Sequence, residues 1–538
     1  MKDIKLLDCT VRDGGYLNDW NFGQSVLTET VQRSINAGVE YIELGFLDDR
    51  RNFDVNRSIF PSTQCLNEIY KGIKKSNSVK FVAMIDYGTC ALMNIQRQED
   101  TILDGIRVIF KKEKMIPALE YCAEIKKLGY EVFTQLVSAT VYSDADFDRL
   151  IAIENELKPA AVSIVDTYGL MDSTELERIF KKLDSNLAQE IMLGFHAHNN
   201  LQLGFSNAFG FLMNEVGRPI LADGTLLGMG KGAGNCPIEL LSFYCNKYFK
   251  THYDVNQMLE AIQSNILVLY GQSNWGYSLK FFLAAVNRVH PNYVSDYISK
   301  GTLSISDLNK ALSEIDDGKK LLYNKDESIR VFQKINDEIE NETQIDLGEL
   351  QAALLNRNVL MVGPGDTVIG EKNKIDEYIR EKSPLVVMIN CINKNIHADY
   401  VFVTNSRRLC HISNHWDSIQ RAGMKVIATS NLVSIFNRFD YTIDYKKLID
   451  ESLAKDSAMI MLLRLLVLVG VKEVALAGLD GYKSSFEEDF VDISNTRGWR
   501  EPFPGFLNSY IRNEIRKYRS KLNVSFVTTS LFDEEDWF

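Results

Sequence analysis

Residues His196-Ala197-His198 close the apolar run Ile191 to Phe195 and place two imidazoles at positions i and i+2. Successive strand side chains point to opposite faces, so this spacing puts both rings on one side of a strand end. Two neutral nitrogen donors there make up most of a divalent-metal site, which then needs a carboxylate and open positions for substrate. The candidate carboxylate lies near the start of the chain. Leu6 and Leu7 lead into Asp8-Cys9-Thr10-Val11-Arg12-Asp13-Gly14-Gly15-Tyr16, an apolar strand breaking into a charged, glycine-containing turn.

These residues need a scaffold that brings distant strand ends together. The first 240 residues or so repeat a short β-rich run, a loop and an amphipathic helix. The spacing predicts strands at Ile4–Leu7, Tyr41–Phe46, Lys80–Ile85, Ile106–Phe110, Val132–Val137, Ala161–Val165, Ile191–His196 and near Ile220. Leu27, Val31 and Ile35 recur at helical spacing before Gly38, and Leu176, Ile179, Phe180 and Leu183 follow the capping candidate Ser173. Eight alternating units imply an α/β fold with a parallel sheet, closed as a (β/α)8 TIM barrel; a doubly wound open sheet is the alternative. In a barrel of this kind chemistry sits at the carboxyl ends of the strands. Arg12, Asp13, Glu43, Asp86, Tyr87, Gln135, Asp166, Thr167, Tyr168, His196, His198 and Asp223 fall at or near such ends. Gln135 is taken as a substrate contact. The glycine-rich run Gly228 to Asn235 allows backbone to lie close to a ligand.

The segments DCTVRDGG, YIELGF, VDTYG, HAHNN and DGTLLGMGKGAGN occur in this order. Over about residues 1–300 the chain resembles the metal-dependent aldolase and lyase superfamily of HMG-CoA lyase-like barrels, nearest the 4-hydroxy-2-oxovalerate aldolases. The resemblance implies that Asp13, His196 and His198 bind Mn2+ or Mg2+, with Asn235 a further ligand; Zn2+ and Co2+ are the other cations the donor set would take. It also implies that Arg12 stabilises an enolate oxygen, that Glu43 holds that arginine, and that Thr167 lies near a bound keto acid. The physical chemistry agrees, because making or breaking a carbon–carbon bond beside a 2-oxo acid puts negative charge on an oxygen that a cation and a fixed guanidinium stabilise. One position departs from the aldolases. Where they carry a histidine three residues after the aspartate, this chain has Tyr16, a poorer base near neutral pH but a competent proton donor. His290 reads as a packing residue of the following helices, and Cys236 as a plain buried cysteine.

Composition bounds the rest. The chain has 538 residues, enough for more than one core, and 72 acidic against 60 basic residues give a net charge of −12 with no basic block. That argues against nucleic acid as a partner. Ala458 to Val471 is too short to span a membrane and reads as a buried helix, and no secretory signal is visible. Eight dispersed cysteines without a CxxC pair fit reduced thiols in a cytoplasmic enzyme. Assembly into a homo-oligomer is compatible with the sequence.

The expected domains are a barrel over residues 1–250, a helical extension over 251–345 and a second α/β unit over 346–538. Val255, Met258, Leu259, Ile262, Ile266 and Leu269 follow helical spacing, and Trp275-Gly276-Tyr277 either packs in the core or covers the pocket mouth. The acidic stretch Glu338 to Gly348 reads as a boundary or linker. Beyond it, strands are expected at Asn358–Val362, Leu385–Ile389, Tyr400–Thr404, Lys425–Thr429, Glu473–Ala477 and Val524–Thr528. The turn Gly363-Pro364-Gly365-Asp366-Thr367 leads into a helix pattern, where backbone amides are suited to phosphate; a plain tight turn is the alternative. Through VGPGDT, MIN, DYVFVTN and VKEVALAGLDGY this half faintly resembles a Rossmann-like group that includes sialyltransferase-type glycosyltransferases and pterin pyrophosphokinase-like proteins. A nucleotide sugar held by Gly363, Gly365 and Asp480 is the implied partner, with Asn390 and Asn405 at neighbouring strand ends.

The combined expectation is a pyruvate-type aldolase acting on a 2-oxo acid and an aldehyde, fused to a nucleotide-sugar module in surface-polysaccharide synthesis. Claisen-type condensation of an acyl-CoA with a keto acid on the same metal core, and a barrel that has lost its chemistry and serves as a scaffold, are the alternatives.

Overall fold

The computed structural model describes residues 2–433, 439–450, 457–482 and 503–533. The chain forms two compact units, Met1–Pro291 and Asn292–Phe538. In the first, eight parallel strands close on themselves: β1 Ile4–Asp8, β2 Tyr41–Leu47, β3 Lys80–Asp86, β4 Gly105–Phe110, β5 Glu131–Leu136, β6 Ala161–Asp166, β7 Met192–Ala197 and β8 Ile220–Gly224. β1 pairs with both β2 and β8, which closes the barrel and excludes the open sheet. The expected strands match these to within about a residue at each end. The helix Gln24–Asn36 buries Leu27, Val31 and Ile35 on the sheet side. The helix expected to be capped by Ser173 begins at that residue and is capped by Asp172, whose carboxylate accepts from the amides of Thr174 and Glu175. A carboxylate serves two first-turn donors at once and favours the helix dipole.

The barrel interior is layered by the two-residue period of its strands. Leu7, Tyr41, Val82, Phe133, Ala161, Met192 and Leu221 form an apolar plug. Two residues further along β2, β5, β6 and β8 stand Glu43, Gln135, Ser163 and Asp223, joined by Arg107 of β4, all buried. An apolar floor carrying a polar layer is the arrangement that holds charged groups rigidly at the carboxyl ends of the strands. The helical spacing after residue 250 gives Val255–Ala261 and Leu267–Tyr270, joined by a π-helical turn at Ile262–Ile266.

The second unit contains a seven-stranded parallel sheet of β9 Asn358–Val362, β10 Leu385–Ile389, β11 Tyr400–Val403, β12 Lys425–Thr429, β13 Tyr441–Ile443, β14 Glu473–Ala477 and β15 Asn523–Phe526. The strand order is β13-β12-β11-β10-β9-β14-β15, so the chain reverses direction of travel between β9 and β14. The helix Ala458–Leu468 is buried, as its apolar composition requires. Glu338 to Gly348, expected as a linker, lies inside the 30-residue helix Lys325–Leu354. Its charges occupy the outer side of a helix whose inner side buries Val331, Ile335, Ile339, Leu350 and Leu354, so a charged composition there marks a solvated face. No helix among the described residues is long and apolar enough to cross a membrane.

Candidate metal and active site

After β1 the chain turns through Thr10–Asp13, the amides of Arg12 and Asp13 both reaching the Cys9 carbonyl, and this turn sinks both side chains into the barrel mouth. Asp13 Oδ2 lies 3.1 Å from His196 Nε2 and 3.8 Å from His198 Nε2. The other ring nitrogen of each histidine is engaged from behind. His196 Nδ1 is 2.9 Å from Asp223 Oδ2, and His198 Nδ1 is 2.9 Å from the Asp166 carbonyl oxygen. Those contacts orient both Nε2 atoms toward Asp13, the usual way a protein aims histidine ligands. A bridge between His198 and Asn235 brings the glycine-rich loop alongside.

The donor set tests well for a cation. Asp13 Oδ2, His198 Nε2 and Asn235 Oδ1 are buried and no hydrogen bond of ordinary geometry reaches any of them. Buried polar atoms without a hydrogen bond are costly. Asp13 Oδ2 has only its contacts to Arg12, His196 and His198. A divalent ion with nitrogen and oxygen preference would satisfy the Asp13 and histidine donors, with Asn235 brought alongside by its bridge to His198. Burial alone would raise the Asp13 carboxyl, but Arg12 and the two histidines outweigh it and hold the group well below the usual carboxylate range. Burial pulls His198 down to about 4, which keeps its imidazole neutral, the form that ligates. Burial also opposes charge on His196, but its contacts to Asp13 and Asp223 prevail and raise it. Cys9, His196 and Asp223 form a second grouping of donor atoms. There, Asp223 is already bonded to Arg107, so the Asp13 grouping is the better cradle.

Arg12 is fixed on two sides. Its Nε donates to Glu43 Oε2 at 2.6 Å and its Nη1 lies 3.2 Å from Asp13 Oδ2. Glu43 Oε1 lies 3.1 Å from Arg107 Nη1, and Arg107 Nη2 contacts Asp223, which returns to His196. Asp13, Arg12, Glu43, Arg107, Asp223 and His196 therefore form a closed ring of charged contacts in the barrel. Arg107 and the joining role of Asp223 escaped the sequence reading. The signal was present in Gly105-Ile106-Arg107-Val108-Ile109-Phe110, where a single arginine interrupts an apolar strand.

The other expected site residues divide. Thr167 lies at the mouth, where its hydroxyl oxygen accepts from the Ser138 amide at 2.8 Å and its proton remains to donate. Gln135 is engaged in the polar layer, accepting from Arg107 and donating to Ser163, each at 3.0 Å. Tyr16 stacks at a tilt on Trp20 with ring centroids 4.9 Å apart, and Trp20 Nε1 donates to the Arg12 carbonyl. Desolvation pushes the phenol up to about 12, with Arg12 opposing. His290 meets Tyr168, which follows β6, at 6.3 Å between ring centroids, so it stands by the barrel mouth. Trp275 is buried and donates to the Leu227 carbonyl, whereas Tyr277 is exposed.

In the second unit the turn after β9 does not present an open phosphate cradle. The Gly363 and Gly365 amides donate to the carbonyls of Ala477 and Gly478, both at 2.8 Å, and the Thr367 amide donates to Asp480 Oδ2 at 3.0 Å. A Cβ at Gly365 would lie 2.4 Å from the Asp480 carboxylate carbon, so glycine is required by this close approach. The Asp480 carboxylate thus takes up the amide and hydroxyl of Thr367 in this turn. Asn390 pairs with Thr404, and Asn405 caps the helix Ser406–Ser413.

Residues 3–264 match the model of the HMGL-like family. An oxaloacetate decarboxylase of Mycobacterium tuberculosis is 26% identical over 285 residues, covering 51% of this chain and 81% of that protein. A 4-hydroxy-2-oxovalerate aldolase of Chloroflexus aurantiacus is 28% identical over 267 residues, 49% of this chain and 75% of that protein. Among solved structures, the HMG-CoA lyase from Brucella melitensis aligns at 13% identity and a TM-score of 0.41, over 50% of this chain and 99% of that one. The family-model match spans the chain from just before β1 to beyond β8.

Proposed function

Taking residues 3–264 as an HMGL-like domain, we propose that the chain is a divalent-metal-dependent carbon–carbon lyase that forms the enolate of a 2-oxo acid and joins it to, or releases it from, an aldehyde. The observation that carries this reading is the convergence of unsatisfied Asp13, His198 and Asn235 atoms, with His196, beside a doubly anchored Arg12. Asp13, His196, His198 and Asn235 would hold Mn2+ or Mg2+, which supplies Lewis-acid stabilisation of the enolate oxygen. The mixed imidazole and carboxylate donors also admit Zn2+ and Co2+.

The chain's own groups complete the site. Arg12 has Nε committed to Glu43 and Nη1 to Asp13, leaving Nη2 to donate to a substrate oxygen. With its orientation fixed before substrate arrives, the guanidinium loses little on reaction, which is the source of electrostatic catalysis. Asp13, Glu43 and Asp223 exceed Arg12 and Arg107 by one negative charge when the imidazoles are neutral. A dication leaves one positive charge, which the carboxylate of a 2-oxo acid balances. Thr167 would donate to that acid. Tyr16, protonated far above neutral pH, would donate a proton to the aldehyde oxygen as the bond forms.

A second reading, decarboxylation of a 2-oxo diacid to the same enolate, is favoured by the tyrosine at position 16, because that reaction needs no base on a substrate hydroxyl. Incubation of the Mn2+-loaded protein with pyruvate and an aldehyde panel, and separately with oxaloacetate, decides between them by mass spectrometry. A product of combined mass supports the aldolase, and carbon dioxide release from oxaloacetate without any condensation product supports the decarboxylase. The occupied turn at Gly363 to Thr367 does not support a nucleotide-sugar role for the second unit, and none is proposed.

A further inference from the structure

The charged residue at the centre of the glycine-rich loop has no part in the chemistry above. Lys231 is fixed at its backbone. Its amide lies 3.5 Å from Asp13 Oδ1, the next residue but one, Ala233, donates to Asn200 Oδ1 at 3.0 Å, and the Asn235 amide closes the loop on the Gly228 carbonyl at 2.9 Å. Gly232, directly after it, has φ +73°, and a Cβ there would sit 3.0 Å from Asn200 Oδ1, so the loop path admits only glycine. From this base the side chain reaches over Tyr16, with Nζ 5.3 Å from the ring centroid. Tyr16 is itself held by Trp20. The result is an ammonium and a phenol placed together by rigid backbone on the rim of the site.

No carboxylate among the described residues forms an ion pair with Lys231. The charged groups that act on it electrostatically are Asp13, Lys111 and Asp86, and Lys280 joins Lys231 in acting on His290. Asp13 belongs to the ligand set. Asp86 is acted on by Lys111, Lys231 and Arg50 and by Asp48, which pairs with Arg50, so the groups around Lys231 carry more positive than negative charge in a chain of net charge −12. The Lys231 side chain is exposed, so its ammonium is open to a ligand arriving from solvent. An ammonium with no ion-pair partner is free to take the anionic group of a ligand as its counterion.

We propose that Lys231, seated over the Tyr16 ring, forms an anion subsite at the barrel mouth, so that the partner of the enolate is an aldehyde bearing a carboxylate or phosphate. This rests on the enolate reading. Arg12 and the ligand set already serve the 2-oxo acid, which leaves the rim pair for the second substrate. The ammonium supplies three donors and no acceptor, and anionic oxygens are its natural complement. Lys231 is a specificity-determining residue in this scheme, distinct from the groups that stabilise the enolate.

The test compares matched aldehydes on the Mn2+-loaded, full-length protein with pyruvate: succinic semialdehyde against butanal, and glyceraldehyde 3-phosphate against glyceraldehyde. Where a pair is not coupled, each member is titrated as an inhibitor of deuterium exchange into the pyruvate methyl group. The expected result is a preference of about tenfold or more for a charged member in kcat/KM or inhibition, falling to within about twofold in Lys231→Met and retained in Lys231→Arg. The ratio is internal to each variant, so a general loss of activity does not imitate it. Which pair shows the preference separates a carboxylate from a phosphate. A ratio near one in the parent overturns the proposal, as does a ratio unchanged in Lys231→Met, or a loss confined to the KM for pyruvate. Failure of methyl exchange itself overturns the enolate reading and this proposal with it, whereas exchange without anion preference overturns only the subsite.

Discussion

Replacing Arg107 with methionine tests whether the buried ring of charges positions the site. The guanidinium is fully buried and contacts Glu43, Asp223 and Gln135, while nothing places it in contact with substrate. Methionine fills similar volume but leaves Glu43 Oε1 and Asp223 facing each other's charge without a cation between them. Breaking one partner out of a buried pair costs roughly 3–5 kcal/mol, and loss of the groups that orient metal ligands costs about 10- to 100-fold in activity or affinity. Because Asp13, His198 and Asn235 are untouched, and the interior becomes more negative, Mn2+ should still bind. The variant is therefore expected to keep its metal, lose about 3 kcal/mol or more of barrel stability, and exchange pyruvate methyl protons at least tenfold more slowly. Hydrogen-exchange mass spectrometry of barrel peptides in urea reads the first unit separately from the second, and Mn2+ titration by electron paramagnetic resonance reads occupancy. A variant within about 0.5 kcal/mol of the parent, with exchange within twofold, would refute the ring as a positioning device.

Three further outcomes follow from single groups. Glu154 is fully buried on the helix Asp144–Leu157, and burial, opposed by Thr134, raises its carboxyl from 4.5 to about 8. The folded state holds that proton while the unfolded chain releases it, so stability is greatest below the unfolded value. It falls by up to ~1.4 kcal/mol per pH unit between those two values and then levels off; Glu154→Gln should flatten this dependence in urea melts, and parallel profiles would count against it. Tyr16→Phe removes the proton donor and should lower carbon–carbon coupling relative to methyl exchange by about a hundredfold, while the parent shows no loss of rate from Tyr16 ionisation up to about pH 10. Gly365→Ala drives a methyl into the Asp480 carboxylate and should destabilise the second unit by about 1–3 kcal/mol, seen as faster hydrogen exchange in peptides around β9 with barrel peptides unchanged.

The barrel was legible because its strands are short and apolar and most are followed by an amphipathic helix; only between β3 and β4 is the connection limited to two short 3-10 turns, Leu92–Asn94 and Gln98–Asp100. Polar residues interrupt those strands only where the polar layer and the mouth require them. The spacing of His196 and His198 and the turn that follows β1 singled out these histidines and Asp13 as candidates, and the fold brings the three together. What spacing does not report is which polar groups consume one another. Gln135 lies at the right height on β5 but faces Arg107 and Ser163, and Gly363 and Gly365 form the expected turn but spend their amides on β14 and the residue after it. β13 escaped notice because three residues carry no measurable alternation, and the acidic run from Glu338 was misread because the charge of a helix face resembles that of a linker.

The central claim is that Asp13, His196, His198 and Asn235 hold a cation beside Arg12 and that together they stabilise an enolate. Its most direct test is mass-spectrometric measurement of deuterium incorporation into the methyl group of pyruvate by the protein in D2O, with and without Mn2+, in the parent and in Arg12→Ala. Metal-dependent exchange that falls by two to three orders of magnitude in Arg12→Ala is the predicted result. No exchange in the metal-loaded parent, or exchange indifferent to Arg12, would contradict it.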